Sequence, residues 1–510
     1  MKYYIISLLS MLCLIGYSQT TETPQHETLP DSRLFEIDQE MLCSDFPAAT
    51  IKPLSQTNRT RANYTHSLKL HYTPNTAQKP NFLVVTTKLL YDSLANEIKT
   101  YAEDIHAIYG WGVYVEMVEN ANSAQLKALI SGYQSNLHGV LFLGDLEECM
   151  FEIENDYNAT PPAYRIWPCD LYFMDLDGVW ADTDNNGVFD QHTGNTNPEI
   201  IFGRLSAKGL LSMGDEVTLI RKQLAKSHNF WWKSSFHTAN TALNYLHKSW
   251  RYNFPSQQIS PVLPSGYVDD IRSGVNPAYS KSDLLARLAQ NKYGFTHLAL
   301  HSTPTVCRLG ESTTNIDSLI YVQNVKLIHS KNYAYNLFCC SACNWFGASS
   351  AGYLGGAFLF AGDKTMAVVG TTKTGGMLYQ NLFYSQFPTH NIGEAFMNWW
   401  ISHSQETDMQ ITNTHVSWSY GMVLLGDPAI DLRHDVSDVC EENLQLTYFP
   451  SNNQSNLIMY KAESSIHVSG SFVIPQGVHV IFDAPEVILD SSFNCPVGAS
   501  FETRSEGCEL

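Results

Sequence analysis

The strongest constraint on the fold is the alternation of short apolar runs with helical segments between residues 81 and 145. Asn81–Thr87, Trp111–Met117 and Gly139–Asp145 are rich in β-branched and aromatic residues, as expected of buried strands. The intervening segments, 94–109 and 123–133, place apolar residues at helical spacing. A β-α-β-α-β order predicts parallel strands joined by right-handed crossovers, so the predicted fold class is α/β with a mostly parallel central sheet.

Two later apolar runs end in residues that can carry chemistry. Tyr335–Gly347 opens apolar and finishes in small residues, which predicts a buried strand ending near Cys343. Phe295–Pro304 has the same design and ends at His301. Because parallel α/β sheets place their chemistry at the carboxyl ends of strands, this pair predicts a thiol nucleophile with a separate general acid/base.

Each of these residues also has an ordinary structural explanation. Cysteine is among the residue types most often buried, and a lone His in an apolar run is commonly a core residue. His297 is the second candidate for the general acid/base, because its even spacing from His301 puts both on one face of a strand. Cys339 and Cys340 fall within the predicted strand and are interpreted as core. The position of Cys343 and His301 at two strand ends favours the catalytic interpretation.

A separate polar stretch, Asp182-Thr-Asp-Asn-Asn-Gly-Val-Phe-Asp190, has the first part of an EF-hand-like calcium loop. Oxygen-bearing side chains occupy its first, third, fifth and ninth positions, and Gly187 supplies the tight turn at the sixth. Thr193 stands where a bidentate Glu belongs, so an Asn/Asp-rich surface turn is the alternative. The predicted metal ligands are Asp182, Asp184, Asn186 and Asp190. No other cofactor is expected for the chemistry.

The N-terminus predicts export. Residues 1–18 place one Lys before a short apolar run that ends in small residues, which is typical of a secretory signal peptide; the run is short for a membrane anchor. A secreted or cell-surface location follows, where disulfides are permitted, although their connectivity cannot be derived from sequence. The net charge of -19 disfavours a nucleic-acid partner. Residues 19–78 are polar and predict a weakly structured N-terminal extension or propeptide.

Beyond Arg433 the pattern changes to short, nearly evenly spaced β segments separated by Gly, Pro and Asp. This pattern predicts a small all-β module, for which a short solenoid stack fits the spacing. Its predicted role is attachment, packing or secretion. The predicted boundaries are 1–18 for the signal peptide, 19–78 for the extension, 79–435 for the main domain and 436–510 for the C-terminal module.

Several motifs, in their order along the chain, resemble the gingipain family of clan CD cysteine peptidases. The motifs are Asp170–Trp180, Ile201–Leu205, the strand ending at His301, Ser341-Ala-Cys343 and Leu425–Pro428. The resemblance covers roughly residues 80 to 433. It implies a caspase-like three-layer sandwich with Cys343 as nucleophile and His301 as general acid/base. It also implies an oxyanion hole formed by the backbone N–H groups of Ser302 and Cys343.

Two departures from the family pattern are visible in the sequence. The family usually flanks its His with Gly on both sides, whereas this chain has Leu300-His301-Ser302. The stretch corresponding to the strand that orients the His, residues 237–246, contains no carboxylate. The third catalytic residue is therefore not assigned from sequence.

The sequence thus predicts a secreted cysteine endopeptidase that acts through an acyl-enzyme intermediate on protein or peptide substrates. Two alternatives remain: a sortase-type transpeptidase, in which an amine replaces water as the acceptor, and a catalytically inactive surface binding or adhesion protein. The mature chain is expected to lack a transmembrane segment, and the C-terminal module is expected to serve attachment to the cell surface.

Overall fold

The computed structural model describes residues 63–156, 164–237, 239–312, 315–346, 352–406, 413–436 and 439–508. The predicted signal peptide and the predicted extension as far as residue 62 lie outside the described residues. The main domain is mixed α/β and is built on one sheet of 11 strands. None of the helices that the structure describes combines the length and the apolar character needed to cross a membrane.

The strands of the large sheet are numbered in chain order together with those outside it. They are β1 (Thr65–Tyr72), β2 (Asn81–Thr87), β3 (Gly112–Glu119), β4 (Leu137–Leu143), β9 (Ile201–Leu205), β10 (Thr241–Leu246), β11 (Val268–Arg272), β12 (Tyr293–Ala299), β16 (Ala334–Phe338), β17 (Ala367–Thr371) and β18 (Met422–Gly426). Their spatial order is β1-β3-β2-β4-β9-β18-β17-β16-β12-β10-β11. Neighbours pair in parallel except β1 with β3 and β17 with β18. The mostly parallel sheet agrees with the prediction.

The helices connect these strands and cover both faces of the sheet. They are α1 (Lys88–Tyr109), α2 (Ser123–Ser131), α3 (Leu171–Met174), α4 (Glu216–Trp232), α5 (Ser256–Ile259), α6 (Lys281–Leu288), α7 (Val322–Lys326), α8 (Leu354–Ala361), α9 (Gln380–Tyr384), α10 (Ile392–Glu406) and α11 (Asn413–Ser419). Alternate residues of β2 enter two different apolar clusters, Phe82 and Val84 in one, Leu83 and Val85 in the other. A sheet buried on both faces is what βαβ crossovers produce, and it is consistent with a caspase-like fold.

Two segments without a detailed prediction carry small sheets of their own. The excursion after β4 contains the hairpin of β5 (Met150–Ile153) with β6 (Arg165–Pro168) and that of β7 (Val179–Ala181) with β8 (Gln191–Thr193). The segment after His301 forms an antiparallel sheet of β13 (His301–Ser302), β14 (Val306–Arg308) and β15 (Leu319–Tyr321). The sheet of β13, β14 and β15 begins at His301, directly after β12, and Asp156, which follows β5, pairs with Lys373 after β17.

The predicted N-terminal extension requires one correction. Thr65–Tyr72 of this extension is not weakly structured, because it forms β1, which pairs with β3 at an edge of the large sheet. Leu70 packs against the core beneath that edge. The polar composition of residues 19–78 concealed a strand that is exposed on one side, and such strands need few apolar residues.

The C-terminal residues form β19 (Glu441–Tyr448), β20 (Leu457–Ser471), β21 (His479–Asp483), β22 (Glu486–Leu489) and β23 (Ser500–Arg504). All of their pairings are parallel, and Leu457 lies beside His479, which lies beside Ser500, so one coil takes 21 or 22 residues. A repeat of this kind has the geometry of a short solenoid. A disulfide joins Cys440 to Cys508.

This module packs against α1 of the main domain. The Arg504 guanidinium lies 2.9 Å from a carboxylate oxygen of the buried Glu103, and the His106 imidazole lies 2.9 Å from the Leu457 carbonyl oxygen. The two parts therefore share a polar interface in which both side chains of α1 are buried.

The turn after β18 is anchored to α1 by a buried carboxylate. Oδ1 of Asp427 accepts hydrogen bonds from the Tyr101 hydroxyl at 2.8 Å and the Ala429 N–H at 2.9 Å. Burial raises the pKa of Asp427 to about 6. Ionisation of this group therefore opposes folding above about pH 6, and the cost disappears as the pH falls toward the pKa of an Asp in an unfolded chain.

We expect Asp427→Asn to stabilise the protein at pH 7, because the amide oxygen keeps both hydrogen bonds without the buried charge. The gain should be up to about 3 kcal/mol and should narrow as the pH is lowered from 7 to 5. Urea unfolding of both proteins at several pH values measures it. A difference between the two proteins that does not change with pH would contradict the raised pKa of Asp427.

Candidate active site

Three neighbouring parallel strands end at the same level of the sheet. Leu246 of β10 lies beside Ala299 of β12, which lies beside Phe338 of β16. The residues that follow each strand therefore meet along one edge, as expected for the carboxyl ends of parallel strands. These residues include His247–Trp250, His301 and Cys340–Cys343.

His301 is fully buried at this edge and is held by residues that follow β10. Its Nε2 lies 3.4 Å from Oγ of Ser249, and its ring centroid lies 4.2 Å from that of Trp250. The Ser249 hydroxyl also lies 3.1 Å from Nδ1 of His247, whose ring meets that of His301 edge-on at 4.8 Å. A packed aromatic ring and a hydroxyl at Nε2 thus contribute to the orientation of the imidazole.

A carboxylate approaches this group from the loop after β14. Oε1 of Glu311 lies 3.7 Å from Nε2 of His247 and 2.9 Å from Nζ of Lys248. Burial, followed by the nearby His301, lowers the pKa of His247 to about 4, so this imidazole is neutral at pH 7. The hydrogen bond from Lys248 holds the pKa of Glu311 below its usual value. Three neighbouring groups therefore lead away from His301: Ser249, His247 and Glu311. They lie on the side of His301 where the sequence did not assign a third catalytic residue.

The sequence interpretation missed the residues from His247 to Trp250, although a signal for them existed. They follow the apolar run of β10 directly, as His301 follows β12. The rule that placed chemistry at the ends of β12 and β16 would have found them had it been applied to β10.

The loop that carries Cys343 is fastened to the end of β17. The Cys343 N–H donates to the Thr371 carbonyl at 2.9 Å, and the Ser341 N–H donates to the Lys373 carbonyl at 2.7 Å. Ser341 adopts a left-handed conformation, with a φ of 56°, where the chain turns. The predicted oxyanion donor at Cys343 is thus already engaged in this conformation, because the strand carbonyl accepts its hydrogen.

The sulfur of Cys343 lies in an apolar pocket. A Cβ atom added at Gly355 of α8 or at Gly370 of β17 would stand 2.6 Å from Sγ, so both glycines leave room for the thiol. The side chain is fully buried, and this burial raises the pKa of the Cys343 thiol well above its ordinary value. In this conformation the group is a thiol at neutral pH, not the thiolate that attacks carbonyls.

His301 and Cys340 lie at the same height along the edge of the sheet, whereas Cys343 comes three residues later in the loop. The hydroxyl of Ser302 donates to the Cys340 carbonyl at 2.7 Å, and the Leu300 N–H donates to the Phe338 carbonyl at 3.2 Å. Cys339 is buried in the core, as predicted. Cys340 is buried as well, and both cysteines follow the end of β16 at Phe338 instead of lying within the strand as predicted.

The second His considered from sequence is part of the core. His297 is fully buried within β12, and its Nδ1 lies 2.7 Å from the Tyr384 hydroxyl. Burial lowers the pKa of His297 to about 3. A histidine that stays neutral and is covered by Phe254 has the character of a packed core residue.

Comparison with known protein families decides the relationship. A model of peptidase family C25 matches residues 75–433. The chain belongs to peptidase family C25. This is the gingipain family of clan CD, which confirms the resemblance seen in the sequence and makes the protein a cysteine-type endopeptidase by family. Its substrates are accordingly proteins or peptides. A search of curated proteins found no match.

One basic side chain of this C25 peptidase is already neutralised at the same edge. Nζ of Lys373 lies 2.9 Å from Oδ1 of Asp156 and donates to the Ser417 carbonyl at 2.6 Å. Lys373 and Asp156 are both buried. This ion pair closes the side of the edge formed by β17.

The predicted calcium loop of the C25 chain forms a compact turn between β7 and β8. Carboxylate oxygens of Asp182 and Asp184 accept from the Asn186 N–H at 3.1 and 3.0 Å, and Gly187 has the positive φ that the turn requires. Glu152 of β5 joins them, with Oε1 2.6 Å from the Asn186 amide nitrogen. Glu152 thus brings a further carboxylate to the loop, and only the tertiary structure reveals this contact.

A different set of carboxylates also meets near β7. Among the residues that the structure describes, oxygens of Asp175, Asp177 and Glu199 lie close enough to share one cation, whereas the predicted loop is not among such groups. The Asp175 carboxylate already lies 2.8 Å from Nε2 of His192 and accepts a hydrogen bond from the Trp180 indole N–H.

The position of the Cys343 sulfur can be tested by a double-mutant cycle. We expect Gly370→Ala to destabilise the fold by about 1–3 kcal/mol, because its methyl group would collide with Sγ. Cys343→Ala should relieve this collision and recover about 1 kcal/mol or more of the loss. Denaturant unfolding of the two single variants and the double variant measures the coupling.

Gly376→Ala is the matched control, since its added Cβ would meet the Phe338 ring at 2.6 Å and not Cys343. The cost of Gly376→Ala should be the same with and without Cys343→Ala. Additive effects for the Gly370 pair would place the sulfur elsewhere.

Proposed function

We propose that this member of family C25 is an exported cysteine endopeptidase in which Cys343 attacks the scissile carbonyl and His301 is the general acid/base. The observation that carries the proposal is that β10, β12 and β16 end side by side, which brings His301 and the loop of Cys343 to one edge of the sheet. The family match supports the reaction class. The caspase-like sandwich, the boundaries near residues 79 and 435, and surface attachment through the C-terminal module belong to the same proposal.

The proposed reaction starts when His301 takes the proton of the Cys343 thiol, and the resulting thiolate adds to the peptide carbonyl to form a tetrahedral oxyanion. His301 then protonates the leaving amine, and the resulting thioester is hydrolysed by water that His301 deprotonates. The oxyanion donors would be the N–H groups of Ser302 and Cys343. Loss of one such donor typically costs about 2.7–4 kcal/mol in the barrier.

Two changes in the loop must precede this attack. The Cys343 sulfur has to leave the pocket between Gly355 and Gly370, because a buried thiol is poorly ionised. The Cys343 N–H has to exchange the Thr371 carbonyl for the substrate oxyanion. We propose that substrate binding along the end of β17 drives both changes and that the described conformation is the resting one.

His301 would be oriented by the group that follows β10. Ser249 contacts Nε2 and Trp250 packs on the ring, so we propose both as positioning residues. The Glu311 carboxylate would stabilise positive charge on this group through His247 and Ser249, in place of the carboxylate that β10 lacks.

A catalytically inactive relative that serves as a binding protein is the second candidate. The observation in its favour is the combination of a fully buried Cys343 thiol with a raised pKa and an engaged backbone N–H. Both features would be permanent in such a protein.

The two candidates are separated by mapping the sites that react with a peptidyl acyloxymethyl ketone. We expect selective modification of Cys343 in the purified protein, read by mass spectrometry of tryptic peptides. The rate of labelling should fall at least about tenfold in His301→Ala, because the imidazole no longer promotes the thiolate. Cys340→Ala is the matched control and should label normally.

Modification of Cys340 in the wild type, retained in Cys343→Ala, would assign the nucleophile to Cys340 instead. Absence of labelling at either cysteine, in folded protein freed of the residues ahead of β1, would favour the binding protein. Circular dichroism of each variant establishes that the fold is kept.

We also propose a structural calcium ion in the loop between β7 and β8. Carboxylate and amide oxygens are the ligands that calcium prefers, and Glu152 supplements the loop. The proposed ligands are Asp182, Asp184, Asn186, Asp190 and Glu152. Binding would require Glu152 and Asn186 to turn their oxygens toward the ion.

We expect millimolar calcium to raise the Tm of the wild-type protein by several degrees, and Asp182→Asn to remove most of this shift. Differential scanning fluorimetry with calcium and with magnesium measures the effect. Glu199→Gln is the control at the other carboxylate group. Loss of the shift in Glu199→Gln, with the shift intact in Asp182→Asn, would move the ion to Asp175 and Asp177.

A further inference from the structure

Arg308 is a buried arginine whose charge is only partly satisfied. Its side chain is 4% exposed, and Nη1 donates to the Glu311 carbonyl at 3.1 Å. Nε and Nη2 are both buried and have no hydrogen-bond partner among the residues that the structure describes. Leaving a buried charged donor without an acceptor is costly, so this pair of donors is suited to a ligand that supplies acceptors.

Other arginines of the chain show what this edge of a guanidinium ordinarily binds. In Arg204, Nε and Nη2 both donate to the Asp170 carboxylate, the shortest contact being 2.6 Å. In Arg433, the same two nitrogens hold the carboxylate of Asp431. Nε and Nη2 form a planar fork that matches the two oxygens of a carboxylate. The same fork of Arg308 has no acceptor within the described part of the chain.

The backbone places this fork next to the proposed general acid/base. Arg308 of β14 lies directly opposite His301 of β13 in an antiparallel pair. Side chains of directly opposed residues share one face of the ribbon, with Cβ atoms about 5 Å apart. His247 is close enough to both residues for their charges to influence its pKa. A group bound by Arg308 would therefore lie within one side chain of His301.

The local charge favours an anion. Glu311 is the carboxylate that reaches this group, and its Oε1 is taken by Lys248 at 2.9 Å. Both Lys248 and Arg308 lie close enough to Glu311 to lower its pKa, and His247 is neutral. The residues beside Arg308 are accessible to solvent, because the side chains of Lys248 and Glu311 are 50% and 52% exposed. A ligand carboxylate entering here would balance the second positive charge.

We propose that Arg308 binds the side-chain carboxylate of an Asp or Glu residue adjacent to the scissile bond, so that the preferred substrates are acidic peptides. This inference rests on the proposed peptidase function. It assigns to the site a specificity for negative charge, with Nε and Nη2 of Arg308 as the two donors. A neutral isostere such as Asn would leave one donor facing an amide N–H.

Paired fluorogenic peptides test the inference. Each pair is identical except for Asp or Asn, placed immediately before or immediately after the scissile bond. We expect the wild-type enzyme to cleave the Asp member of at least one pair with kcat/KM about tenfold or more above the Asn member. Arg308→Gln should bring this ratio close to one by slowing the Asp peptide, and Arg308→Lys should retain part of it because the charge remains without the fork.

A binding measurement separates this inference from the catalytic one. Fluorescence anisotropy of the same labelled peptides with the Cys343→Ala protein should show tighter binding of Asp than of Asn, and the double variant Cys343→Ala/Arg308→Gln should lose the difference. Preferential binding of Asp without any cleavage by the wild type would support the Arg308 site and overturn the peptidase proposal. Cleavage without Asp preference would overturn the Arg308 site and leave the peptidase proposal intact. Equal binding of Asp and Asn peptides by both proteins, without cleavage, would overturn the site as well.

Discussion

The lateral register of three parallel strands is the constraint on which the site depends. Hydrogen bonds between β10, β12 and β16 place Leu246, Ala299 and Phe338 side by side. Residues that are far apart in sequence, such as Ser249 and His301, are neighbours only because these strands end together. A shift of one residue in any strand would turn its side chains to the opposite face, so the register determines the chemistry as well as the fold.

The packing of the Cys343 side chain opposes its reactivity. The glycines at 355 and 370 allow the sulfur to enter the apolar layer between α8 and β17, where it fills space that a larger side chain would overfill. The same burial suppresses ionisation of the thiol. As the proposed nucleophile, Cys343 would be stored within the core, and its reactivity would depend on how readily the loop that carries it rearranges.

The buried charges near the site fall into two groups. Asp170 with Arg204 and Asp156 with Lys373 are complete ion pairs, which satisfy each other and hold the surrounding loops. Arg308 has the same depth of burial but an incomplete set of acceptors. The complete pairs stabilise the fold, whereas Arg308 is the charge that we propose for ligand binding. A carboxylate on Arg308 would also lie close to His301, so specificity and acid/base chemistry would be coupled electrostatically.

Local patterns in the sequence determined the alternation of strands and helices, the position of His301 after one strand and Cys343 after another, and the tight turn at Gly187. These features depend on neighbouring residues, whose hydrophobic periodicity and turn chemistry are visible in a single chain. Only the tertiary structure decided that β1 joins the sheet, that the Cys343 sulfur faces two glycines and that Glu152 meets the loop at Asn186. It also decided that Arg308 stands opposite His301 with two donors that no described residue satisfies. Each of these depends on strand pairing or packing between distant segments, and the number of such pairings that one sequence pattern allows is too large for local rules to select among them.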